Sequence, residues 1–154
     1  MGSLNKDDYT YVEAAGDGAC LFNSVSQNIH LDDNIRDGDD GKKYTYKLTN
    51  KVIKPLSLSL RNDAVDWLKD NLSEITPMGL SYEQSILDEI EEGDLQSSVK
   101  DIDSYLNYMK EKESYGGQPE IFALSNYLKR NILVYKSEGD NYVSAHLASI
   151  NSDY

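Results

Sequence analysis

Apolar side chains recur at helical spacing in five segments of the chain. Leu21, Val25 and Ile29 follow one another every fourth residue, so residues 20–30 are predicted to form a buried helix that ends near His30. Four later segments each carry one apolar face and are also predicted to be helices: residues 60–72, 82–92, 98–112 and a segment that begins at Pro119 and ends near Lys129. We expect a new segment to begin at Pro55, with Ser59 as the N-cap of the helix over 60–72.

Apolar runs and turn-forming residues near the C-terminal end predict a hairpin. Residues 132–135, Ile-Leu-Val-Tyr, form a continuous apolar run that is typical of a central strand. Glu-Gly-Asp-Asn at residues 138–141 predicts a turn, after which residues 142–147 would return as the partner strand. Three further predictions concern short segments: a strand or hairpin arm at residues 44–49, a short strand at residues 9–12, and a loosely held polar stretch at residues 1–8.

Composition narrows the class of protein. A length of 154 residues is that of one domain. The net charge of −12 argues against nucleic acid as a partner and suits a basic protein, although acidity can also simply keep a domain in solution. No stretch is long and apolar enough to predict a membrane span, and the N-terminus lacks the apolar core of a signal peptide. The single cysteine excludes an internal disulfide and a cysteine-based zinc site, which favours a reducing, intracellular compartment.

The single cysteine stands in the most distinctive stretch of the chain. Cys20 follows Gly16-Asp17-Gly18-Ala19 and begins the first predicted helix. Unpaired N–H groups and partial positive charge at a helix N-terminus favour a thiolate, which is the nucleophilic form of cysteine. Glycines allow backbone N–H groups to approach a reacting oxyanion closely. The pattern indicates a cysteine nucleophile beside an oxyanion loop. The alternative is an inert, packed cysteine, because free cysteines are often buried.

Three motifs in this order resemble the OTU (ovarian tumour) family of cysteine proteases. The first is Asp-Gly-Ala-Cys-Leu-Phe at residues 17–22, and the second is Leu-Arg at residues 60–61. The third is Tyr-Leu-Asn-Tyr-Met at residues 105–109, followed by Tyr-Gly-Gly-Gln-Pro-Glu at residues 115–120 and Ile-Phe-Ala-Leu-Ser at residues 121–125. The family usually has Trp-Gly-Gly where this chain has Tyr115-Gly116-Gly117.

The resemblance implies a fold and a function. The fold would be α/β (α+β), of the papain-like OTU type, with a small central sheet flanked by helices in one domain over residues 1–154. The activity would be hydrolysis of the isopeptide bond at the C-terminus of ubiquitin or a ubiquitin-like modifier. Cys20 would be the nucleophile, and backbone N–H groups around Asp17, Gly18 and Cys20 would hold the oxyanion. Asp17 could also be an ordinary helix N-cap. No metal or organic cofactor is expected, the partner would be ubiquitin or polyubiquitin, and the protein is expected to be a monomer.

The general base is the open question of this sequence. A cysteine protease needs a histidine near its thiol, and the chain has His30 and His146. His30 lies ten residues beyond Cys20 on the same predicted helix, roughly 15 Å away. His146 is therefore the candidate, although Leu147-Ala148 follow it where the family has an aromatic residue and then Asp or Asn, and the family's histidine generally lies one strand later. Three explanations stay open: a chain that stops before the usual histidine, an inactive ubiquitin-binding relative, or a topology that brings His146 to Cys20.

Overall fold

A computed structural model describes residues 3–5, 18–34, 46–92 and 95–148 of the chain. Five helices and three strands lie within these ranges, and all of the following bounds refer to them. The helices are α1 (Cys20–Asn34), α2 (Tyr46–Asp70), α3 (Tyr82–Glu92), α4 (Ile102–Met109) and α5 (Gln118–Leu128). The strands are β1 (Ser3–Asn5), β2 (Ile132–Glu138) and β3 (Asn141–Ala148). The architecture is α+β, as predicted. The strand predicted at residues 9–12 lies outside the described residues.

Two predictions about the region of helix α2 are wrong. Residues 46–49 are helical rather than extended, and the helix continues through Pro55 instead of starting at Leu60. A proline inside a helix lacks the N–H that would donate to the preceding turn, which costs about 3 kcal/mol. Burial of Ile53, Ser57 and Leu60 along one face, with α1 packed beside α2, offsets that cost. The six-residue alternation that predicted a strand is therefore outweighed by the side chains that α2 buries along a longer face.

Two other helices differ from prediction only in length. Helix α1 continues four residues beyond His30, to Asn34. Helix α4 is shorter than the predicted 98–112, because its N-cap is Asp101 rather than Ser98. Asp101 Oδ1 accepts a hydrogen bond from Ser104 N at 2.8 Å, and Ser104 Oγ accepts one from Asp101 N at 3.0 Å. This reciprocal capping box fixes the start of α4.

The three strands form one antiparallel sheet in the order β1-β3-β2. The predicted hairpin is confirmed, with Gly139 in the turn at a φ of +60°. Among the three described strands β3 occupies the centre and β2 lies at an edge, so within this part of the chain the run at residues 132–135 is not the central strand. Residues 3–5, expected to be loose, pair with β3 on its other side. An apolar run cannot by itself distinguish an edge strand from a central one.

The predicted apolar faces of the helices meet in one core. Trp67 of α2 packs edge-to-face against Tyr82 of α3, with ring centroids 5.0 Å apart. The fully buried apolar side chains come from all five helices: Phe22, Ala64, Val65, Leu68, Ile86, Tyr105, Met109, Phe122, Ala123 and Leu124. This core holds the N-terminus of α1 against α2 and the segment between α4 and α5.

Candidate active site

Cys20 is the first residue of α1, as the sequence predicts, and it is half-buried. Asn23 N donates a hydrogen bond to Ala19 O at 2.8 Å, which closes the first turn around the thiol. The remaining first-turn N–H groups and the partial positive charge of the helix end therefore lie beside Cys20. This position suits a nucleophile better than a packing role, because the side chain keeps access to solvent.

Gly18 is buried, and its lack of a side chain is a packing requirement. A Cβ on Gly18 would lie 1.6 Å from the backbone oxygen of Glu113. The turn before Cys20 is therefore pressed against the segment between α4 and α5, residues 110–117. The sequence points to Gly18 for its N–H group, whereas the structure adds this close backbone contact.

Arg61 connects the turn before Cys20 to the segment between α4 and α5, residues 110–117. Its Nη2 donates to Gly18 O and to Lys112 O, both at 3.2 Å, and its Nη1 donates to Met109 O at 2.9 Å. Its guanidinium carbon lies 4.4 Å from the centre of the Phe22 ring, a cation–π contact. The side chain is 1% exposed. Arg61 thus fixes the carbonyl two residues before the thiol.

The role of Arg61 was missed by sequence reasoning, which used it only for the family resemblance. A signal was present, because Arg61 precedes Ala64 and Val65 by three and four residues and so shares their buried side of α2. A charged residue is rarely buried unless its hydrogen-bonding groups are satisfied. An arginine on the core side of a helix therefore points to acceptors elsewhere in the chain.

Gly116 and Gly117, in the irregular segment that leads into α5, lie next to the first turn of α1. A Cβ on Gly116 would lie 2.5 Å from Leu21 Cδ2 and 3.2 Å from Phe22 Cε2. Gly117 N donates to Glu120 Oε1 at 2.7 Å, and Tyr105 Oη lies 3.0 Å and 2.8 Å from the two oxygens of the same carboxyl. The structure thus brings the three sequence motifs together around the start of α1.

The model of the family described as OTU-like cysteine protease matches residues 15–154. The chain belongs to this family. A comparison with curated proteins found no match, and a comparison with solved structures found none either.

The structure describes some but not all of the residues predicted to form the site of this OTU-like cysteine protease, and Cys20 is among those described. Asp17 lies outside the described residues, so its role stays a prediction. His146 lies on β3, where its backbone is paired with Val134, and His30 lies on α1 ten residues after Cys20, as expected. Among the described residues, no group of three or more His, Cys, Asp and Glu side chains could hold a metal ion, and no helix is long and apolar enough to cross a membrane.

The buried carboxyl of Glu120 predicts that the stability of the domain depends on pH. Burial raises the pKa of its carboxyl from 4.5 to about 7, with Glu89 adding to the increase and the hydrogen bonds from Gly117 and Tyr105 opposing it. The folded protein therefore binds this proton more tightly than the unfolded chain. The contribution to stability is full below about pH 4.5 and is lost as the pH rises to about 7, a change on the order of 3 kcal/mol.

We expect Glu120→Gln to remove most of this loss of stability with rising pH. The free energy of unfolding, measured with urea at pH 5 and pH 8, should decrease less in the variant than in the wild type, by about 2 kcal/mol. The exposed Glu111→Gln is the matched control and should keep the wild-type pH dependence. Parallel curves for wild type and Glu120→Gln would contradict the raised pKa.

Proposed function

We propose that this OTU-like domain is a deubiquitinase, which hydrolyses the isopeptide bond at the C-terminus of ubiquitin or a ubiquitin-like modifier. The observation that carries the proposal is the position of Cys20. It is half-buried at the N-terminus of α1, in a turn that Arg61 holds, in a chain that matches a cysteine protease family. The net charge of −12 supports a basic partner, and ubiquitin's recognition face carries arginine and lysine.

The proposed reaction passes through a thioester. The Cys20 thiolate attacks the carbonyl carbon of the isopeptide bond, and backbone N–H groups around Asp17, Gly18 and Cys20 stabilise the oxyanion. His146, the proposed general base, takes the thiol proton and returns it to the leaving lysine amine as the C–N bond breaks. Water then attacks the thioester, which releases the modifier's carboxylate and restores the thiol. The reaction needs no metal or organic cofactor.

The direct test is a covalent reaction with ubiquitin that carries a thiol-trapping electrophile at its C-terminus. We expect an adduct with the wild-type chain and none with Cys20→Ala, measured by the mass of the intact protein. Reversible binding without an adduct would favour the alternative, an inactive OTU-like module that binds ubiquitin. Neither an adduct nor binding would overturn the proposed substrate class.

The base assignment makes a separate prediction. His146→Ala should lower kcat/KM for a fluorogenic ubiquitin substrate at least about 100-fold, because general base catalysis typically contributes that much or more. His30→Ala is the matched control, since His30 lies ten residues along α1 from the nucleophile, and it should keep kcat/KM within about threefold of the wild type. Equal losses in both variants would exclude a specific role for His146.

A further inference from the structure

A cavity of about 230 Å³ lies beside the turn that precedes Cys20. It is bounded by the first turn of α1, the middle of α2 and the segment 110–117. The described residues that line it are Ala19, Leu58 and five polar or charged residues: Asn23, Lys54, Ser57, Lys112 and Glu113. Ala19, which lines the cavity, directly precedes Cys20 in the chain, so the cavity adjoins the turn before the proposed nucleophile.

The cavity is lined by both apolar and polar side chains, and two of the polar ones are lysines. Asn23 and Ser57 are each 3% exposed, whereas Lys54 and Lys112 are exposed. Among the described lining residues, two lysines outnumber the one carboxylate, that of Glu113, in a chain with 15 basic and 27 acidic residues. This local excess of positive charge, opposite in sign to the charge of the whole chain, favours an anionic ligand.

One wall of the cavity is held in place before any ligand arrives. The carbonyl of Lys112 accepts a hydrogen bond from Arg61, and the carbonyl of Glu113 faces Gly18 at close contact. The backbone that carries Lys112 is therefore fixed relative to the turn before Cys20. Preorganisation of this kind lowers the entropic cost of binding.

We propose that this cavity is a subsite for an acidic side chain, Asp or Glu, that lies close to the modified lysine on the protein from which the modifier is removed. The proposal rests on the proposed function and adds a substrate preference on the leaving-group side. The modifier itself is a poor occupant, because the arginine and lysine of ubiquitin's recognition face would be repelled by Lys54 and Lys112. A cavity of about 230 Å³ has room for one carboxylate side chain and its water.

Two substrates distinguish binding on the modifier's side of the scissile bond from binding on the leaving-group side. One is ubiquitin with a small fluorogenic amide at its C-terminus, which has no residues on the leaving-group side. The other is ubiquitin joined through an isopeptide bond to a fluorescent hexapeptide whose lysine is flanked by glutamates. The double variant Lys54→Glu/Lys112→Glu should raise KM for the peptide conjugate roughly tenfold and leave KM for the fluorogenic amide unchanged.

A control variant and a control substrate test whether the change in KM is specific to the cavity and to the glutamates. Lys100→Glu/Lys136→Glu changes the net charge equally at two exposed positions that do not line the cavity, and it should leave both KM values unchanged. A conjugate with alanines in place of the glutamates should lose the difference between wild type and Lys54→Glu/Lys112→Glu. An equal rise in KM for both substrates would place the cavity on the modifier's side and overturn the proposal, as would no rise for either.

A binding measurement tests the proposed subsite without requiring catalysis. The glutamate-flanked hexapeptide alone is titrated into the Cys20→Ala protein, and amide chemical shifts are followed by NMR. Saturable shifts at Ala19 and Ser57 that disappear in the Lys54→Glu/Lys112→Glu background would support the subsite. Their absence would overturn it. If the fluorogenic ubiquitin is not cleaved while these shifts are present, the proposed function fails and the anion site stands.

Discussion

The Arg61→Met variant is expected to lose about 4 kcal/mol of unfolding free energy, the largest effect of any substitution near the site. Methionine fills a similar length of space but leaves the carbonyls of Gly18, Met109 and Lys112 without the donors they have in the wild type. Each buried acceptor that loses its donor costs about 1–3 kcal/mol, and the contact with the Phe22 ring is lost as well. Small domains have only about 5–15 kcal/mol in total.

Urea denaturation of a short series measures this effect. Arg61→Lys keeps the charge but cannot reach three carbonyls in the fork geometry of a guanidinium, so it should lose about half as much. Lys110→Met is the matched control, because it removes a cation of the same region whose ion pair with Asp66 is solvent-exposed and contributes less than about 1 kcal/mol. A loss below about 1 kcal/mol in Arg61→Met would show that water replaces the guanidinium at no cost.

Gly18→Ala is expected to cost about 3 kcal/mol and to abolish adduct formation with the ubiquitin electrophile. The new Cβ would overlap the backbone oxygen of Glu113, at 1.6 Å, so one of the two backbone segments has to move. Overpacking typically costs about 1–3 kcal/mol, and the upper end applies here because backbone cannot change rotamer. Gly18 lies two residues before Cys20, so movement of its segment displaces the thiol and the N–H groups proposed to hold the oxyanion.

Gly116→Ala tests whether this effect depends on backbone contact. Its Cβ would meet the end of the Leu21 side chain at 2.5 Å, and a side chain can turn away. We expect Gly116→Ala to cost less than about 1 kcal/mol and to retain adduct formation. Similar losses of stability and reactivity in both alanine variants would show that any bulk near the start of α1 is harmful and that the Glu113 contact is not special.

Local patterns predicted the helices well wherever the apolar face alone determines the structure. Helix α3 spans 82–92 as predicted, and the inward-facing residues Tyr105, Leu106 and Met109 of α4 are buried. The position of Cys20 in the first turn of α1 also followed from the sequence. Capping and apolar spacing are set by residues three or four positions apart, so the chain carries that information locally.

The same patterns failed where distant segments compete with local preference. Alternation at residues 44–49 and the proline at position 55 both argued against a helix that α2 nevertheless forms. The order of strands β1-β3-β2 could not be predicted, because pairing partners in a sheet are chosen by packing rather than by the sequence of one strand. His146 as the general base and ubiquitin as the substrate stay predictions.

The sequence by itself determined the family of this protein and the faces of its helices, because motifs and periodicity are properties of neighbouring residues. It also predicts Cys20 as the nucleophile, at the start of α1. Only the tertiary structure decided how the turn before Cys20 is held. Arg61 reaches carbonyls 43 and 51 residues away, and Gly18 meets a backbone oxygen of a segment still farther along the chain. Such contacts depend on where the folded chain returns, and backbone acceptors leave no trace in side-chain identity.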